Sequence, residues 1–287
     1  MQEVGLITGH TRLVAIVGSP VAQVKSPANF NAHFACVGAD IAMIPMNVLP
    51  AALDGFVALL RGWENLAGCV VTVPYKQQLA GRVDCLSDRA AALGAINVVR
   101  REPDGRLVGD MTDGLGFLRA AQRHGFAARG RTAMIAGAGG AGSAIAHALC
   151  EAGIARLIVL DRDDARAESL AARLLDDFPW VDVGTGGPPK ALVDVHADLL
   201  VNATPAGMAD DMSLPLPAWV IEANAPGALV ADVVTSPELT QWLALAVQRG
   251  CKIQTGAEMA HAQMPLMGAF MNVMTSDAAD ISAEQGK

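Results

Sequence analysis

The chain lacks the residue patterns that would tie it to metals, disulfides, nucleic acid or membranes. Its five cysteines (Cys36, Cys69, Cys85, Cys150 and Cys251) are scattered over 287 residues with no paired spacing. They therefore suggest neither a disulfide frame nor a zinc site, and read as reduced, mostly buried thiols of a cytosolic protein. Six dispersed histidines (His10, His33, His124, His147, His196, His261) form no pair at metal-ligand spacing, and no metal is expected. There is no basic run and the net charge is −8, which argues against nucleic acid as a partner. No apolar run reaches the ~18–20 residues of a membrane span. Met1-Gln-Glu-Val-Gly-Leu6 has no basic segment leading into a long apolar one, so no secretory leader is expected and the expected location is the cytoplasm. Internal repeats and low-complexity tracts are also missing.

What is present is enough apolar material, 52% of residues, for two modest domains with separate cores. Strand-like runs alternate with helical patterns throughout, which predicts an α/β architecture with parallel sheets. Strands are expected at Leu13–Val17, Ile41–Ile44, Cys69–Val73 and Ile96–Val99, with a turn at Asp104-Gly105 before Leu107-Val108. Helices are expected from Ser26-Pro27 to about Val37, with Ser26 as N-cap, and over Ala51–Arg61. A further helix, about Gly114–His124, leads into a second fold whose later strands are Asp198–Val201 and Leu229–Asp232 and whose last helix is Pro237–Ala246. The tail, Met259 to Ala279, reads as helical and methionine-rich, with Pro265 kinking or restarting it. A tail packed back on the first domain would leave a cleft between the halves, where small-molecule sites tend to lie.

The densest signal is Thr132-Ala-Met-Ile-Ala-Gly137-Ala-Gly139-Gly140-Ala141-Gly142. An apolar strand runs into a glycine-rich turn and then a small-residue helix. Gly137 suits the tight turn, Gly139 lets backbone approach a pyrophosphate, and Gly142 lets helix and strand pack closely, with the helix N-terminus facing the anion. A second apolar strand, Leu157–Leu160, ends in Asp161, 24 positions after Gly137, where an acid would meet the adenosine ribose. A nicotinamide cofactor brings the hydride chemistry, so the other domain must supply substrate binding and a proton carrier. Lys76, just past a strand in Val71-Thr72-Val73-Pro74-Tyr75-Lys76, and Asp113, just before a helix in Thr112-Asp113-Gly114, are the candidates. In isolation each would read as a solvated amine and a helix cap.

These motifs, in this order, resemble the shikimate/quinate dehydrogenase family over nearly the whole chain. The resemblance also includes Gly18-Ser-Pro20, Lys25-Ser26-Pro27 with Asn31, Gly94-Ala-Ile-Asn97, Asn202-Ala-Thr204-Pro-Ala-Gly207-Met208, Asp232 with Pro237 and Thr240, and Gly256, Met259 and Gln263. It implies a substrate-binding α/β domain over 1–114 with 256–287, and a Rossmann-type doubly wound dinucleotide-binding domain over 115–255. It implies reversible hydride transfer between NAD(P) and a cyclic hydroxy acid such as shikimate, with Lys76 and Asp113 catalytic. Ser26, Thr72, Asn97 and Gln263 match substrate-binding positions. Gly137, Gly139, Gly140, Ala141, Asp161, Arg162, Thr204, Met208, Gly256 and Met259 match cofactor-binding ones. A monomer or homodimer, with small molecules as its partners, is expected.

Departures bear on substrate and cofactor. Val24 stands where the family usually has the first of two serines that hold the substrate carboxylate, and Val70 and Met111 stand in place of asparagines. One lost hydrogen bond to a charged group costs about 1.5–3 kcal/mol. Quinate or aminoshikimate therefore remain alternatives as substrate, as does a metabolite-sensing module without turnover. Asp161-Arg162-Asp163 replaces the Asn-Arg-Thr of phosphate-preferring members, and acids on both sides of Arg162 favour NAD over NADP. Among the histidines, only His261 is kept as a weak site candidate.

Overall fold

The computed structural model describes residues 7–186 and 196–275. The chain divides into two compact units, Met1–Thr112 with Met264–Lys287, and Asp113–Gln263. Among the described residues no helix is long and apolar enough to cross a membrane.

The first unit contains β1 (Arg12–Gly18), α1 (Ser26–Cys36), β2 (Ile41–Asn47), α2 (Leu53–Gly62), β3 (Leu66–Val71) and α3 (Lys76–Ala80). They are followed by β4 (Cys85–Leu86), α4 (Asp88–Leu93), β5 (Val98–Arg101) and β6 (Leu107–Asp110). The sheet order is β2-β1-β3-β5-β6-β4. β1 and β3 lie inside the sheet, which is why both read as continuous apolar runs rather than alternating ones. Strands β1, β2 and β3 are parallel, as is the β4–β6 pair; β5 alone is antiparallel to both its neighbours, β3 and β6. Met264, Met267 and Met271 pack with Phe30, Phe34, Val14 and Val70 in one apolar cluster.

The second unit opens with α5 (Asp113–Arg123) and continues through β7 (Thr132–Ala136), α6 (Gly140–Glu151), β8 (Arg156–Leu160), α7 (Asp164–Asp177) and β9 (Asp182–Thr185). It proceeds with β10 (Leu199–Asn202), α8 (Ala218–Asn224), β11 (Leu229–Asp232), α9 (Gln241–Gln248) and β12 (Lys252–Gln254), and ends inside α10 (Gly256–Phe270). All six strands are parallel in the order β12-β11-β10-β7-β8-β9. Two apolar clusters flank the sheet: one takes side chains from α5, α6 and α7, the other from α8 and α9. This is a doubly wound sheet whose strand order reverses between β7 and β10, the switch point at which such sheets bind ligands.

Several expected boundaries move. Ser26 is the first residue of α1 rather than its cap; Lys25 holds the cap position and no side chain caps the helix. The helix expected from Pro237 begins at Gln241, because Thr240 takes the cap and accepts the backbone N–H of Leu243. α10 runs through Pro265 without interruption and ends at Phe270; the last expected helical residues, 276–279, lie outside the described residues. The first half of α10 falls with the second unit, whereas the sequence placed 256–263 with the first.

Candidate active site

In the first unit, β1, β3 and β6 finish, and β5 starts, at one end of the sheet. Backbone bonds knit that end together. Thr72 N–H donates to Val17 O (2.9 Å), Val71 N–H to Asn97 O (2.7 Å), Ile96 N–H to Lys76 O (2.9 Å) and Asn97 N–H to Asp110 O (2.9 Å). Lys76, Thr72 and Asn97 are thereby gathered at one strand-end cluster. Asn97 precedes its strand, and it reaches this end only because β5 runs backwards. Its buried side chain is fixed by Thr112: Oδ1 accepts Thr112 N–H at 2.8 Å, and Nδ2 lies 3.1 Å from Thr112 Oγ1. Tyr75, fully buried, donates its hydroxyl to Val48 O and pins the residue before Lys76. Thr112 and Tyr75 carried no sequence-level signal beyond their neighbours' motifs. Lys76, Thr72 and Ser26 are half-buried. The departures are packing positions: Val70 and Met111 are buried, and Val24 rests against the apolar cluster around Phe30.

In the second unit Gly137 follows β7 with φ +106°, a conformation that disfavours any side chain. A Cβ there would come 2.7 Å from Ala203 O, and one on Gly142 would run into Gly137 O. Gly139 caps α6 and offers no side chain to its first-turn amides, leaving that helix end to an anion. These features fit a dinucleotide diphosphate over Gly139, Gly140 and Ala141. Asp161 follows β8 and accepts the N–H groups of Ala138 (2.7 Å) and Asp163 (3.1 Å). Partial burial pushes its carboxyl up, but those two bonds and the nearby Arg166 and Arg162 outweigh it and hold it below the usual carboxylate range. Arg166 Nη2 would lie 3.6 Å from a Cβ at Gly139. Arg166 lies in the first turn of α7 and was not singled out in the sequence.

Asp113 is buried at the start of α5 and accepts Gln263 Nε2 at 2.5 Å, so the structure joins two of the expected site residues within this unit. Thr204 bonds Asn202, Met208 is exposed at the next turn, Gly256 lies against the Val233 and Val234 carbonyls, and Met259 is buried among Phe117, Ile135 and Val201. His147 packs edge-on against Phe178, His124 meets Glu258 at 2.9 Å, and His261 is exposed. Burial pushes the Cys150 thiol up to about 12 and raises those of Cys69 and Cys251, so these thiols are poor nucleophiles near neutrality.

A doubly wound sheet with an open glycine turn at its switch point defines a dinucleotide-binding α/β protein. Comparison narrows the class. A family model described as the shikimate dehydrogenase substrate binding domain matches residues 16–99, and one described as shikimate / quinate 5-dehydrogenase matches residues 119–181. Shikimate dehydrogenase (NADP(+)) of Rubrobacter xylanophilus is 38% identical over 85% of this chain and 84% of its own. That of Rhodospirillum rubrum is 37% identical over 93% and 94%. The crystal structure of shikimate 5-dehydrogenase from Listeria monocytogenes, in complex with shikimate and NAD, superposes with TM-score 0.89 at 28% identity, covering 97% of this chain and 98% of that one. The chain belongs to the shikimate dehydrogenase family of oxidoreductases.

The expected preference for NAD is corrected by the names of these curated relatives, which specify NADP+. The structure supplies a physical reason. The two acids behind that expectation are engaged with backbone: Asp161 braces the glycine turn, and Asp163 caps α7 by accepting Ala165 N–H at 3.2 Å. The exposed Arg162 and Arg166 bear on the same corner.

Proposed function

We propose that this chain is an NADP+-dependent shikimate dehydrogenase, interconverting shikimate and its 3-dehydro ketone. The first unit is the substrate domain and the second the dinucleotide domain. The observation that carries this reading is Lys76 at the strand-end cluster with Thr72 and Asn97, in a chain whose curated relatives bear that activity. Lys76 takes the proton of the reacting hydroxyl as hydride leaves the same carbon, and returns it in the reverse direction. Asp113 is the acid that works with it, oriented by Gln263. Ser26, Thr72, Asn97 and Gln263 bind the ring acid's oxygens. NADP+, when bound, supplies the hydride acceptor. Gly137, Gly139, Gly140 and Ala141 cradle its diphosphate, and Arg162 with Arg166 pairs its 2′-phosphate. Thr204, Met208, Gly256 and Met259 shape the remainder of the nucleotide site.

A second reading concerns the substrate alone. Val24 lies against an apolar cluster and offers no donor to a carboxylate. A missing charged hydrogen bond lowers kcat/KM by roughly 10- to 150-fold, which would favour quinate or aminoshikimate if their extra groups compensate. Initial rates with shikimate, quinate and aminoshikimate, each with NADP+, test both readings. The reduced-nucleotide band should grow with shikimate, and a faster rate with another ring acid would move the substrate assignment. No rate with any of the three would overturn the enzyme reading.

A further inference from the structure

We propose that Asp232 is a positioning residue for the dinucleotide site, acting through Asn202 to hold the loop after β10 against the glycine turn. This rests on the dinucleotide-binding reading above. Asp232 and Asn202 end neighbouring strands, pair directly in register, and are both fully buried. Asp232 Oδ1 accepts Asn202 Nδ2 at 3.0 Å and Val234 N–H at 2.9 Å, while Oδ2 accepts the Thr240 hydroxyl at 2.7 Å. An ionised carboxylate can only accept, so it forces the Asn202 amide to turn its nitrogen inward. That leaves Asn202 Oδ1 to accept Thr204 N–H at 3.0 Å and the Thr204 hydroxyl at 2.7 Å. The second Nδ2 hydrogen goes to Ala206 O at 3.0 Å, and Thr204 Oγ1 in turn accepts Ala206 N–H at 3.1 Å.

The knitted loop is the wall behind the phosphate turn. Ala203 N–H donates to Ala136 O at 2.7 Å, and a Cβ on Gly137 would lie 2.7 Å from Ala203 O and 3.0 Å from Thr204 Cγ2. On the far side Gly207, at φ +86°, lies under Thr240: a Cβ on Gly207 would come 3.2 Å from Thr240 Cβ. A chain of direct contacts therefore runs from Asp232 through Asn202 and Thr204 to the turn at Gly137. Burial pushes the Asp232 carboxyl above the usual carboxylate range, against the lowering effect of the hydrogen bonds it accepts. An amide at position 232 would aim an N–H at one of the donors now pointing there, and the Asn202 amide or the Thr240 hydroxyl would have to turn away.

The test uses the full-length chain as wild type, Asp232→Asn, Thr240→Val and Thr240→Ser. NADPH binding is followed by fluorescence, KM is measured separately for NADP+ and shikimate, and thermal unfolding is recorded. Asp232→Asn should weaken NADPH binding about tenfold or more and raise KM for NADP+ while KM for shikimate stays unchanged. Thr240→Val should weaken NADPH binding and Thr240→Ser should preserve it. A folded Asp232→Asn variant that binds NADPH like wild type would overturn the proposal, as would equal NADPH binding by the two Thr240 variants. If Asp232→Asn does not fold, the Thr240 pair decides. Failure of wild type itself to bind NADPH would instead overturn the dinucleotide reading.

Discussion

Asp161 commits both carboxylate oxygens to backbone N–H groups, one of them inside the glycine turn. Because its folded pKa is held below the unfolded value of about 3.9, its contribution is present above that value and is lost as pH falls through the folded one. Asp161→Asn should therefore lower stability near neutrality, and the gap to wild type should close in acid. Urea unfolding of both proteins at neutral and acidic pH checks this, and a gap that widened on acidification would contradict it. At this scale the sequence shows where an acid stands but not what its oxygens hold. Charge along the chain shows which residues are acidic; it does not show that two acids are engaged in bracing and capping. That is why the nucleotide preference went astray.

Helices α5 and α6 pack through small residues, and the closeness is set by Gly114. A Cβ there would run into Ala144 O and come 2.7 Å from Ala148 Cβ. Overpacking of this kind costs about 1–3 kcal/mol, so Gly114→Ala should lower the urea midpoint accordingly. No change in the midpoint would mean that the helices separate freely. Most of the elements were legible because their patterns are long: β1, β3, β7 and β11 are apolar runs, and α5 carries a clear buried stripe. Among those missed, α7 has 14 residues and a buried stripe, but others had less to show. β4 has two residues and β12 three, too few for a period to appear. The start of α9 was misplaced because Pro237 imitates a helix opening that Thr240 actually caps.

At the scale of the whole molecule, two compact units share one polypeptide, and each holds part of the proposed machinery. Unit 1 carries Lys76, Thr72, Asn97 and Ser26; unit 2 carries Asp113, Gln263 and the glycine turn. Short ordered motifs made these residues legible, since each must present one functional group at a strand end or helix start. Thr112 and Asp232 stand in those motifs as well, but their bonds to Asn97 and Asn202 are tertiary contacts that no local spacing encodes. The central claim is that Lys76 moves the proton of the reacting hydroxyl. Steady-state turnover of shikimate with NADP+ by Lys76→Ala, beside its NADPH binding and thermal midpoint, tests it most directly. The account predicts a fall in kcat of at least ~100-fold, with nucleotide binding and midpoint unchanged. A folded variant retaining more than about a tenth of wild-type turnover would contradict it.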